Sequence, residues 1–187
     1  LLKAYAAAGS DARMNGCELP VVINSGSGNQ GLTVSVPLIV YAEREHLDKE
    51  KLYRALVISN LTAIHLKTEI GRLSAFCGAV SAGAACGAGL AYLKDASEEV
   101  MNHTIVNALA ITSGIICDGA KASCAAKIAV SVEAGILGYD MYMNGQQFYG
   151  GDGIISKGIE NTIHNIGVLG SQGMASTDQE IIKIMCE

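Results

Sequence analysis

Small and apolar side chains at Leu52, Ala55, Leu56, Ser59, Ala63 and Leu66 recur at helical spacing, which predicts a helix from Lys49 to about Lys67 with Asp48 as its cap. The pattern changes after Arg72. Leu73 to Tyr92 carries no charge, is mostly Gly, Ala, Ser and Cys, and predicts a buried helix over 78–93. Asp95-Ala-Ser-Glu98 places carboxylates where a helix starts, and that helix runs through Val100, Ile105, Val106, Leu109 and Ala110 to Ile116. Ser123 to about Leu137 is almost wholly apolar and predicts a second central helix. Shorter helices are expected at residues 1–8, stopped by Gly9-Ser10, at Leu32–Tyr41 despite its β-branched residues, and at Ile154–Gly167. Thr177-Asp-Gln-Glu180 reads as a capping box for a last helix, Asp178–Met185.

Polar and Gly-rich stretches separate these segments. Residues 11–20 read as a loop, with Asn15-Gly16 as a turn and Pro20 as a breaker, and Val21–Asn24 as a short strand or extended piece. Asn24 to Gly31 is a polar loop feeding the next helix. It reads either as an anion site, where free N–H groups and the helix dipole converge, or as a plain turn. Gly26, Gly28 and Gly31 have the GxGxxG spacing, but no acidic residue follows in a clear second strand, so this is no dinucleotide fingerprint. Residues 138–153 hold most of the aromatics and read as a structured loop, and Ser171–Met174 as another. The expectation is one all-α globular domain over 1–187, with Gly-rich loops and central helices at 78–93 and 123–137.

Composition narrows the function. The net charge is −5 and no basic run occurs, which argues against a nucleic-acid partner. The apolar run at 73–93 raises the membrane question, but Gly, Ala and Ser carry little insertion energy, so a buried helix of a soluble protein is expected. Six cysteines without a secretory signal point to a reducing, cytoplasmic setting and to metal-binding or reactive thiols instead of disulfides. The chain opens Leu-Leu-Lys-Ala-Tyr with neither Met nor cap, so an N-terminal part of the same protein is expected to precede it.

Four cysteines fall between Arg72 and Cys124. Cys77 and Cys86 are nine apart, which on one helix puts them on opposite faces. Cys117 and Cys124 are seven apart around a Gly-containing loop. The paired Cys-x-x-Cys of a zinc site is absent. Three thiolates from two regions could hold one iron–sulfur cluster, although buried packing cysteines would give the same spacing. His65 and Glu69 share a helix face, as an acid–base pair or a surface pair. Arg13 and Arg72 are either bidentate carboxylate partners or structural arginines.

Four stretches carry a resemblance: Ser10-Asp-Ala-Arg-Met14, Ser25-Gly-Ser-Gly-Asn-Gln-Gly31, Gly71-Arg-Leu-Ser-Ala-Phe-Cys-Gly-Ala-Val-Ser-Ala-Gly83 and Ile116-Cys-Asp-Gly-Ala-Lys-Ala-Ser-Cys124. They resemble the L-cysteine desulfidase family, which belongs with the alpha-chain domain of iron–sulfur-dependent L-serine dehydratases. The likeness covers nearly the whole chain. It implies an oxygen-sensitive [4Fe–4S] cluster held by Cys77, Cys117 and Cys124, with one iron free of protein thiolate. The dehydratases space the last two cysteines more widely, so that part rests on the surrounding motif. Cys86 matches a cysteine that is not a ligand.

The implied reaction is β-elimination of L-cysteine to pyruvate, ammonia and hydrogen sulfide, with L-serine dehydration as the alternative. The open iron would act as a Lewis acid on the leaving group. The loop bearing Ser25, Ser27, Asn29 and Gln30 would hold the substrate carboxylate, with Arg13 and Arg72 as further partners. His65 is a candidate base, as is the N-terminal part that family members carry. Cys186 is either a resting-state tail ligand or a frayed, exposed thiol. A homo-oligomer is compatible with this reading. Two other classes remain open: a non-enzymatic helical scaffold with packing cysteines, and a thiol redox sensor.

Overall fold

A computed structural model describes residues 1–187. Eight α-helices carry the chain: α1 (Leu2–Met14), α2 (Gly28–Arg44), α3 (Lys49–Ile70), α4 (Gly78–Leu93), α5 (Glu98–Thr112), α6 (Cys124–Met143), α7 (Ile159–Val168) and α8 (Ala175–Cys186). No strand forms, and extended backbone pairs only in two isolated bridges, Asn24 with Ser27 and Phe76 with Ile116. The fold is all-α, as the periodicity predicts. No helix is long and apolar enough to cross a membrane.

α4 is the axis. It packs against α2, α3, α5 and α6, and its residues from Val80 to Leu93 are buried except Tyr92. A helix apolar on every side belongs inside, and one built of Gly, Ala and Ser lets its neighbours approach closely. A side chain at Gly83 would overlap the Ser131 carbonyl of α6. One at Gly89 would stand 2.8 Å from Leu38 of α2. α6 lies beside α4 with Ile128, Ser131, Val132, Ala134, Gly135 and Gly138 inward, while Val130 and Leu137 face solvent. Leu66, Ile70, Phe76, Val80, Leu109 and Ile166 fill the core between α3, α4, α5 and α7.

Several boundaries differ from the sequence expectation, each for a tertiary reason. α1 continues through Gly9-Ser10 to Met14, because Ser10 is buried and a Gly9 side chain would meet Leu32 in ordinary contact. Val21–Asn24 forms no strand beyond the Asn24–Ser27 bridge. That bridge closes a turn through Ser25 and Gly26, both at positive φ, and α2 begins directly after it at Gly28. α5 stops at Thr112, freeing 115–117 for pairing with 75–77. α6 runs on to Met143, because Gly138 admits the Thr104 carbonyl, 2.7 Å from where its Cβ would lie. Residues 154–158 are not helical, and α7 starts after Gly158 at φ 87°. A π-helical turn, Leu169–Gly173, replaces the loop expected at 171–174. It leads into α8 at Ala175, so Thr177 sits inside the helix and caps nothing.

Candidate functional site

The links α1–α2, α3–α4 and α5–α6 gather at one end of the bundle and enclose a cavity of about 310 Å³. Its thiols come from the second and third links. Cys77 N donates to Ile115 O at 3.2 Å and Cys117 N to Ala75 O at 2.6 Å, flanking the Phe76–Ile116 bridge. The bridge sets the two side chains together, with the Cys77 thiol hydrogen-bonded to Cys117 sulfur. That hydrogen bond, followed by burial, raises Cys77 far above an ordinary thiol. The same hydrogen bond lowers Cys117, helped by Gly119 N–H and by the charges of Lys127 and Lys67. Cys124 opens α6 and accepts from Lys121 N at 3.4 Å. All three cysteines line the cavity.

Helix polarity adds to this. α2, α4 and α6 all begin at this end, with Cys77 as the N-cap of α4 and Cys124 the first residue of α6. Three helix N-termini therefore favour negative charge in the cavity. In α2 the first amide with a backbone acceptor is Gly31 N, bonded to Ser27 O. The glycines of the turn are there for closeness. A side chain on Gly28 would press on Arg13, and one on Gly31 would overlap the Val22 carbonyl.

The cavity brings Arg13, Ser25, Ser27, Asn29, Gln30 and Arg72 to the same place as the three cysteines. Arg13 Nη1 donates to Asn29 Oδ1 at 3.1 Å. Gln30 lies against Gly78 at the start of α4, and its Oε1 is buried with no donor. Arg72 is exposed on the α3–α4 link. His65 does not line the cavity. It sits on the outer face of α3, where Nε2 meets Glu160 Oε2 of α7 at 2.9 Å. Its helical neighbour Glu69 is taken by His164 Nδ1 at 2.8 Å, so His65 and Glu69 each pair across to α7 instead of with each other.

Two cavity residues escaped the sequence reading. Lys127 Nζ bonds Ile116 O at 2.9 Å and pairs with Asp118, tying the cysteine loop to α6. Hydrogen bonds from Lys121 and then Lys127 pull the Asp118 carboxyl down to about 2. Lys67 is 6% exposed. The available signal was its register, since it continues the Ser59–Ala63 stripe of α3 where a charge is out of place.

Cys86 is fully buried on α4 outside the cavity, and burial pushes its thiol up to about 12. Cys17 and Cys186 are exposed. Met185, beside Cys186, reaches the Gly119 loop. All six cysteines are free thiols. No three His, Cys, Asp or Glu side chains approach closely enough to hold a single metal ion.

Comparison with known proteins adds a family. The family model described as serine dehydratase alpha chain matches residues 1–183. A UPF0597 protein of Desulfitobacterium hafniense is 68% identical over 183 residues, covering 98% of this chain and 43% of that protein. A UPF0597 protein of Lachnoclostridium phytofermentans is 58% identical, covering 98% of this chain and 44% of that protein. One from Finegoldia magna is 56% identical over 185 residues, with 99% and 44% covered. The chain thus spans less than half the length of the curated relatives it matches. No solved structure matches it.

Proposed function

We propose, from the premise that this chain belongs to the serine dehydratase alpha-chain family, that it is the cluster-binding catalytic domain of a lyase that eliminates the β-substituent of a small amino acid. L-Cysteine is the favoured substrate and L-serine the alternative, on the strength of the motifs around Cys77 and Cys117–Cys124. The observation that carries the reading is the set of three thiols on one cavity.

The donor set suits a [4Fe–4S] cluster. A multinuclear cluster takes each thiolate at a different iron, so its ligands line the walls of a cavity and need not meet at one point. Cys77, Cys117 and Cys124 would hold it. Lys67 and Lys127 favour the Cys117 thiolate, and the N-termini of α2, α4 and α6 favour the negative charge that ligation brings into the cavity. When bound, the cluster would supply an open iron acting as a Lewis acid on the substrate's thiol or hydroxyl.

The chain's own residues bind and orient. The turn Ser25–Ser27 and the first turn of α2, with Asn29 and Gln30, offer N–H and amide groups to the substrate's polar end, and Arg13 and Arg72 add positive charge at the rim. Phe76 and Ile128, both buried, supply the apolar lining that limits water. In the net reaction the Cα proton and the β-substituent leave, the resulting aminoacrylate tautomerises, and water releases pyruvate and ammonia, with hydrogen sulfide as co-product from cysteine and water from serine. His65 stands away from this chemistry.

The test is turnover by the complete protein after anaerobic cluster assembly, with L-cysteine and L-serine offered separately and pyruvate and sulfide followed. Equal pyruvate and sulfide from cysteine, lost in Cys117→Ala, supports the desulfidase. Pyruvate mainly from serine moves the assignment to the dehydratase. A cluster-loaded protein that turns over neither overturns the reaction, and one that binds no iron leaves a scaffold or thiol sensor.

A further inference from the structure

Among the cations on the cysteine cavity, Lys67 differs from the rest. Arg13 is engaged by Asn29, Lys127 by Asp118 and Ile116 O, and Arg72 is out in solvent. Lys67 is buried, lines the cavity, and has neither an acid partner nor a hydrogen bond within the chain. Burial lowers its affinity for the proton, and only the Cys117 and Cys77 sulfurs and Asp178 of α8 act in the other direction. The stem is buried while the ammonium opens on the cavity without a partner from the chain, so an anion bound there would offset its partial desolvation.

The same cavity contains the complementary group. Gln30 Oε1 is a buried acceptor with no donor. An unpaired donor head and an unpaired acceptor on one small cavity match a dipolar ligand, carboxylate at one end and ammonium at the other. A halide or a simple carboxylate would satisfy Lys67 alone.

We propose that Lys67 is the anchor for the α-carboxylate of the amino-acid substrate, with Gln30 Oε1 receiving its α-ammonium. This rests on the amino-acid lyase reading above, moves the carboxylate from the Ser25–Gln30 loop to Lys67, and gives Gln30 the ammonium instead. With both ends fixed, the β-substituent is directed by the remaining contacts toward the three cysteines. Lys67 and Gln30 reach the cavity from different helices, α3 and α2, so a ligand carrying both charges bridges them.

The experiment measures equilibrium binding by calorimetry to the complete, cluster-loaded protein. The probes are L-alanine, which has no leaving group, L-alaninamide, which lacks the carboxylate, and propionate, which lacks the ammonium. L-Alanine is expected to bind best. Lys67→Met should weaken L-alanine about tenfold or more, the scale of a lost charge-assisted hydrogen bond, and leave L-alaninamide unchanged. Lys67→Arg should recover part of the loss. Gln30→Met should weaken L-alanine but not propionate. In turnover, Lys67→Met should raise KM more than it lowers kcat. Iron content and melting temperature matched to the parent protein establish that each variant is folded and loaded.

Unchanged L-alanine binding in a folded, loaded Lys67→Met overturns the proposal. So does a fall in kcat alone without rescue by arginine, which assigns Lys67 to proton transfer. A parent protein that binds none of the probes also overturns it. If cysteine and serine are both inert while L-alanine still binds through Lys67, the reaction assignment has failed and the anchor stands.

Discussion

Phe76 pairs with Ile116 in a single antiparallel bridge, and that pairing sets Cys77 beside Cys117. The segments come from links forty residues apart in the chain, each too short to form a sheet. Phe76 is fully buried and closes the core beneath the bridge, so the thiol geometry is fastened to the hydrophobic centre.

Phe76→Ala should therefore cost about 3–5 kcal/mol of stability, as expected for truncating a buried aromatic. Phe76→Leu, which keeps most of the volume, should cost less than about 2 kcal/mol. Urea denaturation of the two variants checks both. A loss below about 1 kcal/mol for the alanine variant would mean that the bridge region is not part of the cooperative core.

The seam between α4 and α6 makes a second prediction. A Cβ on Gly135 would lie 2.5 Å from Gly83 O and 3.1 Å from Gly87 Cα, both backbone atoms that cannot step aside. Gly135→Ala should destabilise by about 1–3 kcal/mol despite alanine's better helix propensity. Gly114 has nothing within 4 Å of where a Cβ would lie and no positive φ, so Gly114→Ala should be neutral or stabilise by up to about 1 kcal/mol. Thermal melts of the pair separate close packing from intrinsic propensity.

What could be read in advance follows the range of the interaction. Asp48 was recognisable as a cap because its partner, Lys51 N, is three residues away. The apolar run of α4 foretold a central helix, since no charge on any side leaves it nowhere else to go. The continuation of α1 through Gly9-Ser10 depends on α2 packing against it, and the start of α2 at Gly28 depends on the Val22 carbonyl. The Phe76–Ile116 bridge joins two stretches that look like helix ends when read alone. The cysteines stood out by their motifs, whereas Lys67 was legible only as a charge four residues beyond Ala63 on the inward stripe of α3.

The two His–Glu pairs between α3 and α7 share one sequence offset: 65 with 160, and 69 with 164. The two helices therefore run in the same direction along this seam, zipped by two exposed ion pairs. Exposed pairs contribute about 0–1 kcal/mol each. His65→Gln should change stability by no more than about 1 kcal/mol and leave turnover within about twofold, since His65 lies off the cavity. A loss of turnover much greater than that, with stability retained, would restore His65 as a proton carrier acting from outside the cavity.

The thiols should separate by accessibility and charge when the iron-free protein is treated with iodoacetamide and mapped by mass spectrometry. Cys17 and Cys186 are exposed and should react first at alkaline pH. Cys86 is enclosed, with its thiol pushed up to about 12, and should stay unmodified until the protein unfolds. Cys117 is lowered by the Cys77 hydrogen bond and by nearby Lys127 and Lys67. Its thiolate therefore persists as pH falls below the ordinary cysteine range near about 8.5, and its labelling should decline least between about pH 8 and pH 6. Cys77 is shifted the opposite way and should react more slowly than Cys117 throughout. Anaerobic cluster assembly should then protect Cys77, Cys117 and Cys124 together while Cys17 remains reactive. Protection of Cys117 without Cys124 would mean that the loop 118–124 does not deliver the third ligand, and the cluster assignment would lose its geometry.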